Sequence, residues 1–259
     1  MLHGDLLSTI RPRRGTHPNQ MRENLNMTNH TIEPTPRTAA RVAGIGYIVI
    51  FALAIFANFF VRVGLVEPDD AATTFRNIAD SEFLFRTALV AFLVVFVLDV
   101  VVAWALYIVF RPTGTRRSQL AAWFRLVYTV FLGIAVIFLF LALQFVGGAE
   151  FLGAFEPTQL NAQLMLALEA FNYTWLIGLA AFGIHLILIG NIMLRSGIAP
   201  KGLGIVLAIA GGAYVFDTLA YALLSNYAEY EDIFVAIVAV PSVIAELAFA
   251  WWLLARAGR

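Results

Sequence analysis

Long apolar segments alternate with short polar segments along most of this 259-residue chain. Six apolar segments are each long enough for an α-helix to cross a hydrocarbon layer, which takes about 20 residues. Helices are expected there because lipid offers backbone N–H and C=O groups no hydrogen-bond partner. The pattern predicts an all-α polytopic membrane protein, with a six-transmembrane-helix bundle over residues 37–259. The predicted spans are residues 42–63, 84–109, 120–146, 164–194, 202–224 and 233–255.

The composition agrees with this interpretation. Hydrophobic residues make up 61% of the chain and charged residues 13%, whereas soluble domains are about half apolar and a quarter charged. The chain has no cysteine, which excludes disulfides, thiolate metal sites and cysteine nucleophiles. Residues 1–36 lack the apolar core of a signal peptide and are predicted to form a disordered cytoplasmic tail. Met21 and Met27 are alternative positions for the true start.

The charges at the span ends predict an orientation. Basic loop residues are retained on the cytoplasmic side of a membrane. The loops after predicted spans one, three and five are acidic, whereas the other loops and both ends of the bundle are basic. We therefore expect a multi-pass inner (plasma) membrane protein with both termini cytoplasmic. Its expected partners are membrane lipids and a small solute or proton, and no nucleic acid. The basic residues are Arg37, Arg41, Arg111, Arg116, Arg117, Arg195, Lys201, Arg256 and Arg259.

Ionisable side chains inside the spans are the candidates for function, because a charge at a helix centre costs about 2.5–3.5 kcal/mol on insertion scales. A rise of about 1.5 Å per residue puts Asp99, His185 and Glu246 at similar depth, with Arg125 within reach and Asp217 slightly further out. These five are the ligand-binding or proton-relay candidates. Because carboxylates outnumber the arginine, at least one is expected to be protonated, cation-bound or bonded to the histidine. We expect a protonated Glu246 or Asp217.

These residues also permit structural interpretations. Asp99 and Arg125 could form a buried ion pair that only sets helix register, and His185 could be an interhelical hydrogen-bond partner. A second polar layer is predicted nearer the outside, either as a vestibule or as residues that satisfy one another. Arg62 and Arg86 are expected to pair there with Glu82 or Glu169. The candidates of this outer layer are Asn58, Arg86, Glu169, Asn172 and Tyr173.

The first outer loop predicts a short helix. Glu67, Asp69 and Asp70 can cap a helix that runs through Phe75 and Ile78, with acidic groups favoured at its N-terminus by the helix dipole. We expect this helix on the outer surface.

Three classes of function remain open. A carrier or binding protein would take an ion or small polar solute at the mid-membrane centre and would have a cavity open to one side. An intramembrane enzyme could use His185 with a carboxylate on a lipid-like substrate, so enzyme activity stays uncertain and is not favoured. A structural or regulatory protein would have a dry, packed core. No metal site or cofactor is predicted, since one intramembrane histidine supplies too few ligands for zinc.

The chain resembles a known family, the six-span membrane proteins described as domain of unknown function 4386. The resemblance covers residues from about Thr38 to Leu254 and implies a bacterial or archaeal inner-membrane protein without an established activity. The segment before Met27 departs from the short N-terminus usual in that family. The residues that carry the resemblance are Thr38 to Gly44, Tyr47, Ser81, Glu82, Phe85, Arg86, Asp99, Phe124, Arg125, His185, Leu186, Gly190, Ser196, Gly197, Pro200, Leu203, Gly204, Gly211, Tyr214, Asp217 and Glu246.

Overall fold

The computed structural model describes residues 34–258. The predicted N-terminal tail therefore lies, up to residue 33, outside the described residues. The described part of the chain is helical and contains no strand, which confirms the all-α prediction. Its helices are α1 (Pro36–Ala54, continuing as a π-helix over Ile55–Val63), α2 (Ala71–Asp80), α3 (Glu82–Val146), α4 (Pro157–Ser196), α5 (Lys201–Leu223) and α6 (Glu231–Ala255).

Helix α3 is interrupted and folds back on itself. Its 65 residues would form a rod of roughly 100 Å at about 1.5 Å per residue, but the backbone is non-helical at Gly114. The Ser118 hydroxyl donates to the Tyr107 carbonyl at 3.0 Å, and Phe96 packs directly against Gly133. The two arms, residues 82–113 and 115–146, therefore lie side by side and antiparallel. They contain the segments 84–109 and 120–146, the second and third predicted spans.

Five helical segments of the described chain are long and apolar enough to cross a membrane. Their surfaces agree with a lipid environment, because large apolar side chains such as Phe83, Phe60 and Leu223 are more than 70% exposed. Soluble monomers rarely leave extensive apolar surface uncovered. The segments are Pro36–Val63, Glu82–Val146, Pro157–Ser196, Lys201–Leu223 and Tyr227–Ala255.

The helices close into a ring, in which α1 packs on α3, α3 on α4, α4 on α5, α5 on α6, and α6 back on α1. At one end, the Arg37 guanidinium donates to the backbone carbonyls of Leu254 at 2.5 Å and Ala257 at 3.0 Å. Cations suit the C-terminus of a helix, where carbonyls lack partners. The start of α1 and the end of α6 therefore lie at the same end of the bundle.

Helices α4 and α5 approach closely because glycines face each other. A Cβ atom on Gly183 would lie 2.5 Å from the Gly211 carbonyl oxygen, and one on Gly190 would lie 2.5 Å from that of Gly204. Small residues allow such backbone approach between membrane helices. This packing brings the α4 side chains near those of α5.

Helix α2 occupies the predicted part of the sequence and has the predicted cap. The Asp70 side chain accepts from the Thr73 backbone N–H at 2.9 Å and from its hydroxyl at 2.7 Å. Thr74 and Ile78 are fully buried beneath the helix, which fixes it against α3 and α4. The short helix predicted from the acidic loop is therefore confirmed.

Candidate functional site: a buried polar centre

A buried ion pair links the two arms of α3. Arg125 donates to Asp99 Oδ1 at 2.5 Å and to the Tyr47 hydroxyl, on α1, at 2.6 Å. Asp99 and Arg125 are at most 1% exposed. Such pairing is required here because an isolated buried charge is strongly unfavourable. The pair predicted from helix depth therefore forms, and it includes a tyrosine from a third segment.

Aromatic rings enclose the guanidinium of Arg125. Its central carbon lies 4.6 Å from the ring centroid of Tyr47 and 5.3 Å from that of Phe182. A desolvated cation over an aromatic face gains roughly 2 kcal/mol. Phe182, on α4, also packs against Tyr128 and Tyr214, with centroid distances of 5.0 and 5.5 Å. This ring lies at the junction of α3, α4 and α5.

His185 is fully buried next to this ring, at a centroid distance of 5.8 Å. Its Nδ1 lies 2.8 Å from the Ala121 carbonyl oxygen. Because a carbonyl only accepts, Nδ1 carries a proton, and in the neutral form of the ring the lone pair is then on Nε2. The histidine thus forms the interhelical bond expected of a structural residue, and it keeps an acceptor in the core.

Glu246 brings a second carboxylate to the centre from α6. It is half-buried and accepts a hydrogen bond from the Tyr214 hydroxyl at 3.3 Å. Arg125 interacts electrostatically with Glu246 as well as with Asp99, and also with His185. The Phe182 ring contacts Arg125, His185 and Tyr214, the hydrogen-bond partner of Glu246, so four of the five predicted residues lie around this ring.

Asp217 lies elsewhere. Its Oδ1 accepts a hydrogen bond from the Tyr227 hydroxyl at 2.7 Å, and Tyr227 follows the end of α5. Tyr227 also packs against Tyr221 and Phe234, with centroid distances of 4.8 and 4.7 Å. Among the contacts of the described residues, Asp217 thus belongs to an aromatic cluster at the α5–α6 turn and not to the Arg125 centre.

Several buried polar atoms of the centre have no hydrogen-bond partner within the described protein. They are Asp99 Oδ2, Arg125 Nε, His185 Nε2 and Ser242 Oγ. Buried polar groups are nearly always paired, with protein or with an ordered molecule. The set includes an anionic acceptor, a cationic donor, an imidazole nitrogen and a hydroxyl, so water or a small polar ligand could satisfy it. No group of three or more His, Asp or Glu within residues 34–258 is arranged as a metal site.

Most of the outer candidates have a partner among the described residues. Arg86 bonds to Glu82 at 2.6 Å, which confirms the predicted pairing, and both side chains are exposed. Arg62 donates to Asn58 Oδ1 at 2.8 Å, lies over the Phe171 ring at 5.5 Å and interacts electrostatically with Glu169. Tyr173 contacts the Tyr221 ring at 5.6 Å and interacts with Glu169, and Asn172 is half-buried.

Sequence reasoning about ionisable groups did not select four members of the centre. Tyr47, Tyr214 and Ser242 each supply a hydroxyl, and Phe182 supplies an aromatic ring that packs against Tyr214. Tyr47 and Tyr214 carried part of the family resemblance, which was the available signal. Ser242, four residues before Glu246, lies on the same face of a helix and could have been found from this spacing.

The fold and its centre define a helical bundle, with helices suited to a membrane, around an arginine shared by two carboxylates. The family model described as "Domain of unknown function (DUF4386)" matches residues 42–257, and the chain belongs to this family. The resemblance drawn from the sequence is confirmed. An "Uncharacterized protein" of Archaeoglobus fulgidus is 28% identical over 169 residues, covering 65% of this chain and 83% of that protein. No solved structure matches the chain.

Proposed function

We propose that this chain is an inner (plasma) membrane protein that crosses the bilayer six times, with both termini cytoplasmic. Arg37 holds the start of α1 next to the end of α6, and a chain whose two ends share one side makes an even number of crossings. Counting the two arms of α3 separately gives six. The break at Gly114 lies among Arg111, Arg116 and Arg117, which favour the cytoplasmic side.

Cysteine accessibility tests this topology without background, because the chain has no native cysteine. Thr115→Cys and Ile198→Cys should react with an impermeant maleimide only after the cells are opened. Ala154→Cys and Asn226→Cys should react in intact cells whose outer barrier is permeable to the reagent. All four positions are exposed. Labelling of Thr115→Cys from outside would contradict the six-span topology.

We further propose that the polar centre binds an ion or a small polar solute and that the protein moves it across the membrane. The unpartnered polar atoms beside the Asp99–Arg125 pair carry this proposal. Each would cost about 1–3 kcal/mol if it stayed unsatisfied, so a bound polar species offsets a large penalty. Two carboxylates around one guanidinium also favour a positively charged or proton-donating species.

A melting assay of the purified protein tests binding. Monovalent chlorides and a panel of small polar solutes would each be added at constant ionic strength. A ligand that binds the folded state raises the melting temperature as its concentration rises. We expect such a rise in the wild type and in Asp217→Asn, which removes a carboxylate charge outside the centre, and its loss in Asp99→Asn. Equal responses of both variants, or no response of the wild type, would contradict the proposal.

A structural role is the second candidate, and the complete burial of Asp99 and Arg125 favours it. Buried ion pairs can specify helix register without any ligand. This role predicts melting temperatures that are unaffected by every cation and solute tested. The intramembrane enzyme has less support, because the ring of His185 is fully buried and stacked on Phe182.

A further inference from the structure

The two carboxylates of the centre differ in environment. Asp99 is fully buried and bonded directly to Arg125. Glu246 is half-buried, and its hydrogen bond is the longer one from the Tyr214 hydroxyl at 3.3 Å. Arg125, in turn, is already held by Asp99 and Tyr47. Glu246 is therefore the carboxylate that can exchange its partner without breaking the ion pair.

The position of Glu246 on α6 also favours exchange. Pro241, five residues earlier, lies inside the helix and removes the backbone hydrogen bond to the Ile237 carbonyl, which weakens the helix locally. Val243, Ile244 and Leu247 are exposed by 40, 57 and 42%, so this stretch forms the outer wall of the bundle. Glu246 therefore lies on a locally weakened helix at the edge of the bundle.

The groups that face Glu246 leave its charge uncompensated. Arg125 is the cation among these groups, and it already forms an ion pair with Asp99. His185 interacts with the same guanidinium. The groups interacting with Glu246 are Tyr214 from α5, Tyr47 from α1, and Asp99, Arg125 and Tyr128 from α3.

We propose that Glu246 is the exchangeable position of the centre, where it holds one proton or one competing monovalent cation, while Asp99, Arg125 and Tyr47 form a fixed framework. This proposal rests on the proposed binding function, and it specifies that the bound ligand carries one positive charge. One bound positive charge brings the net charge of ionised Asp99, Glu246 and Arg125 to zero. A divalent ion would leave an excess positive charge in a low-dielectric core.

The donors around Glu246 suit either species. Ser242, one helical turn away on the same face of α6, adds a buried hydroxyl, and Tyr214 presents its hydroxyl to the carboxylate. Carboxylate and hydroxyl oxygens are hard ligands of the kind that alkali cations bind. A proton would convert Glu246 into a carboxylic acid, with a donor available to these same oxygens.

Infrared difference spectroscopy of the full chain in lipid nanodiscs tests the proposal. Spectra in acidic and alkaline buffer are compared with sodium, and then with N-methylglucamine, as the buffer cation. We expect a protonated-carboxyl band that appears in acid, disappears in Glu246→Gln and stays in Asp217→Asn. Tyr214→Phe should shift the band without abolishing it, because the carboxyl loses one donor. Melting curves of each variant confirm that it is folded.

The comparison of sodium with N-methylglucamine distinguishes a site that binds only a proton from one that also binds sodium. If sodium competes, the band titrates at lower pH in sodium than in N-methylglucamine. If the site takes only a proton, the two titrations coincide. A band that persists in folded Glu246→Gln, or the absence of such a band in the wild type without any sodium-induced carboxylate change, would overturn the proposal. Solute binding that survives in Glu246→Gln would also overturn it while leaving the proposed binding function standing.

Discussion

The coupling between Asp99 and Arg125 can be predicted from their geometry. Arg125→Leu leaves Asp99 buried without its cation, and Asp99→Asn leaves the guanidinium without its anion, since the pair is at most 1% exposed. Removal of one partner of a buried pair typically costs about 3–5 kcal/mol. Independent losses would therefore add to roughly 6–10 kcal/mol. In the double variant neither member of this pair is left facing an unpaired partner, so we expect it to lose about 0.5–3 kcal/mol less than this sum.

Unfolding in mixed micelles by added sodium dodecyl sulfate, followed by tryptophan fluorescence, measures these free energies. Arg86→Leu is the matched control, because it breaks an arginine–carboxylate pair with exposed side chains, for which about 0.3–0.5 kcal/mol is expected. Additive losses in the double variant would refute the pairing as an energetic unit. If Arg125→Leu loses no more free energy of unfolding than Arg86→Leu, the claim that burial makes the pair important is refuted.

Three further predictions concern other parts of the fold. Gly211→Ala should destabilise the α4–α5 contact by about 1–3 kcal/mol through overpacking, whereas Gly212→Ala, whose Cβ meets open space, should be neutral or slightly stabilising in the same assay. Arg37→Ala should lower amide hydrogen-exchange protection at the end of α6, because the carbonyls of Leu254 and Ala257 lose a cationic donor. Unchanged protection would contradict a stabilising role of Arg37 at this helix end. The Thr73 hydroxyl and backbone N–H hold the pKa of Asp70 below its usual range. Its contribution to α2 is therefore complete above the unfolded pKa of about 3.9 and is lost as the pH falls through the lower folded pKa. Amide protection of α2, corrected for intrinsic exchange rates, should show this loss in the wild type and not in Asp70→Asn.

The helices could be predicted because the bilayer restricts backbone structure so strongly. Long apolar segments must be helical in lipid, and the basic stretch around Gly114 already separated the two arms of α3. The π-helix over Ile55–Val63 could not be predicted, since its sequence is equally compatible with an α-helix. The segment packs against α3, and π-helices are too rare to be expected from a single apolar segment.

The depth of each candidate side chain in the bundle could be predicted from the sequence, but the direction in which it points from its helix could not. A rise per residue places side chains along the helix axes, which grouped Asp99, His185 and Glu246 at one depth with Arg125 within reach. It says nothing about rotation around each helix axis, so it placed Asp217 only slightly further out and did not reveal that this residue faces Tyr227. The enclosing rings of Tyr47 and Phe182 result from interhelical packing, and the hydrophobic pattern treats them as ordinary core.

Native mass spectrometry of the protein released from mild detergent, with an absorption spectrum of the same sample, tests most directly whether the centre is a binding site. For any occupant other than a proton, we expect a reproducible added mass in the wild type and in Asp217→Asn, and its loss in folded Asp99→Asn; a proton would instead make the melting temperature depend on pH. The added mass would also give the chemical class of the ligand. A protein without added mass, whose melting temperature does not respond to pH or to any cation or solute, would contradict the account and leave a polar centre that serves structure alone.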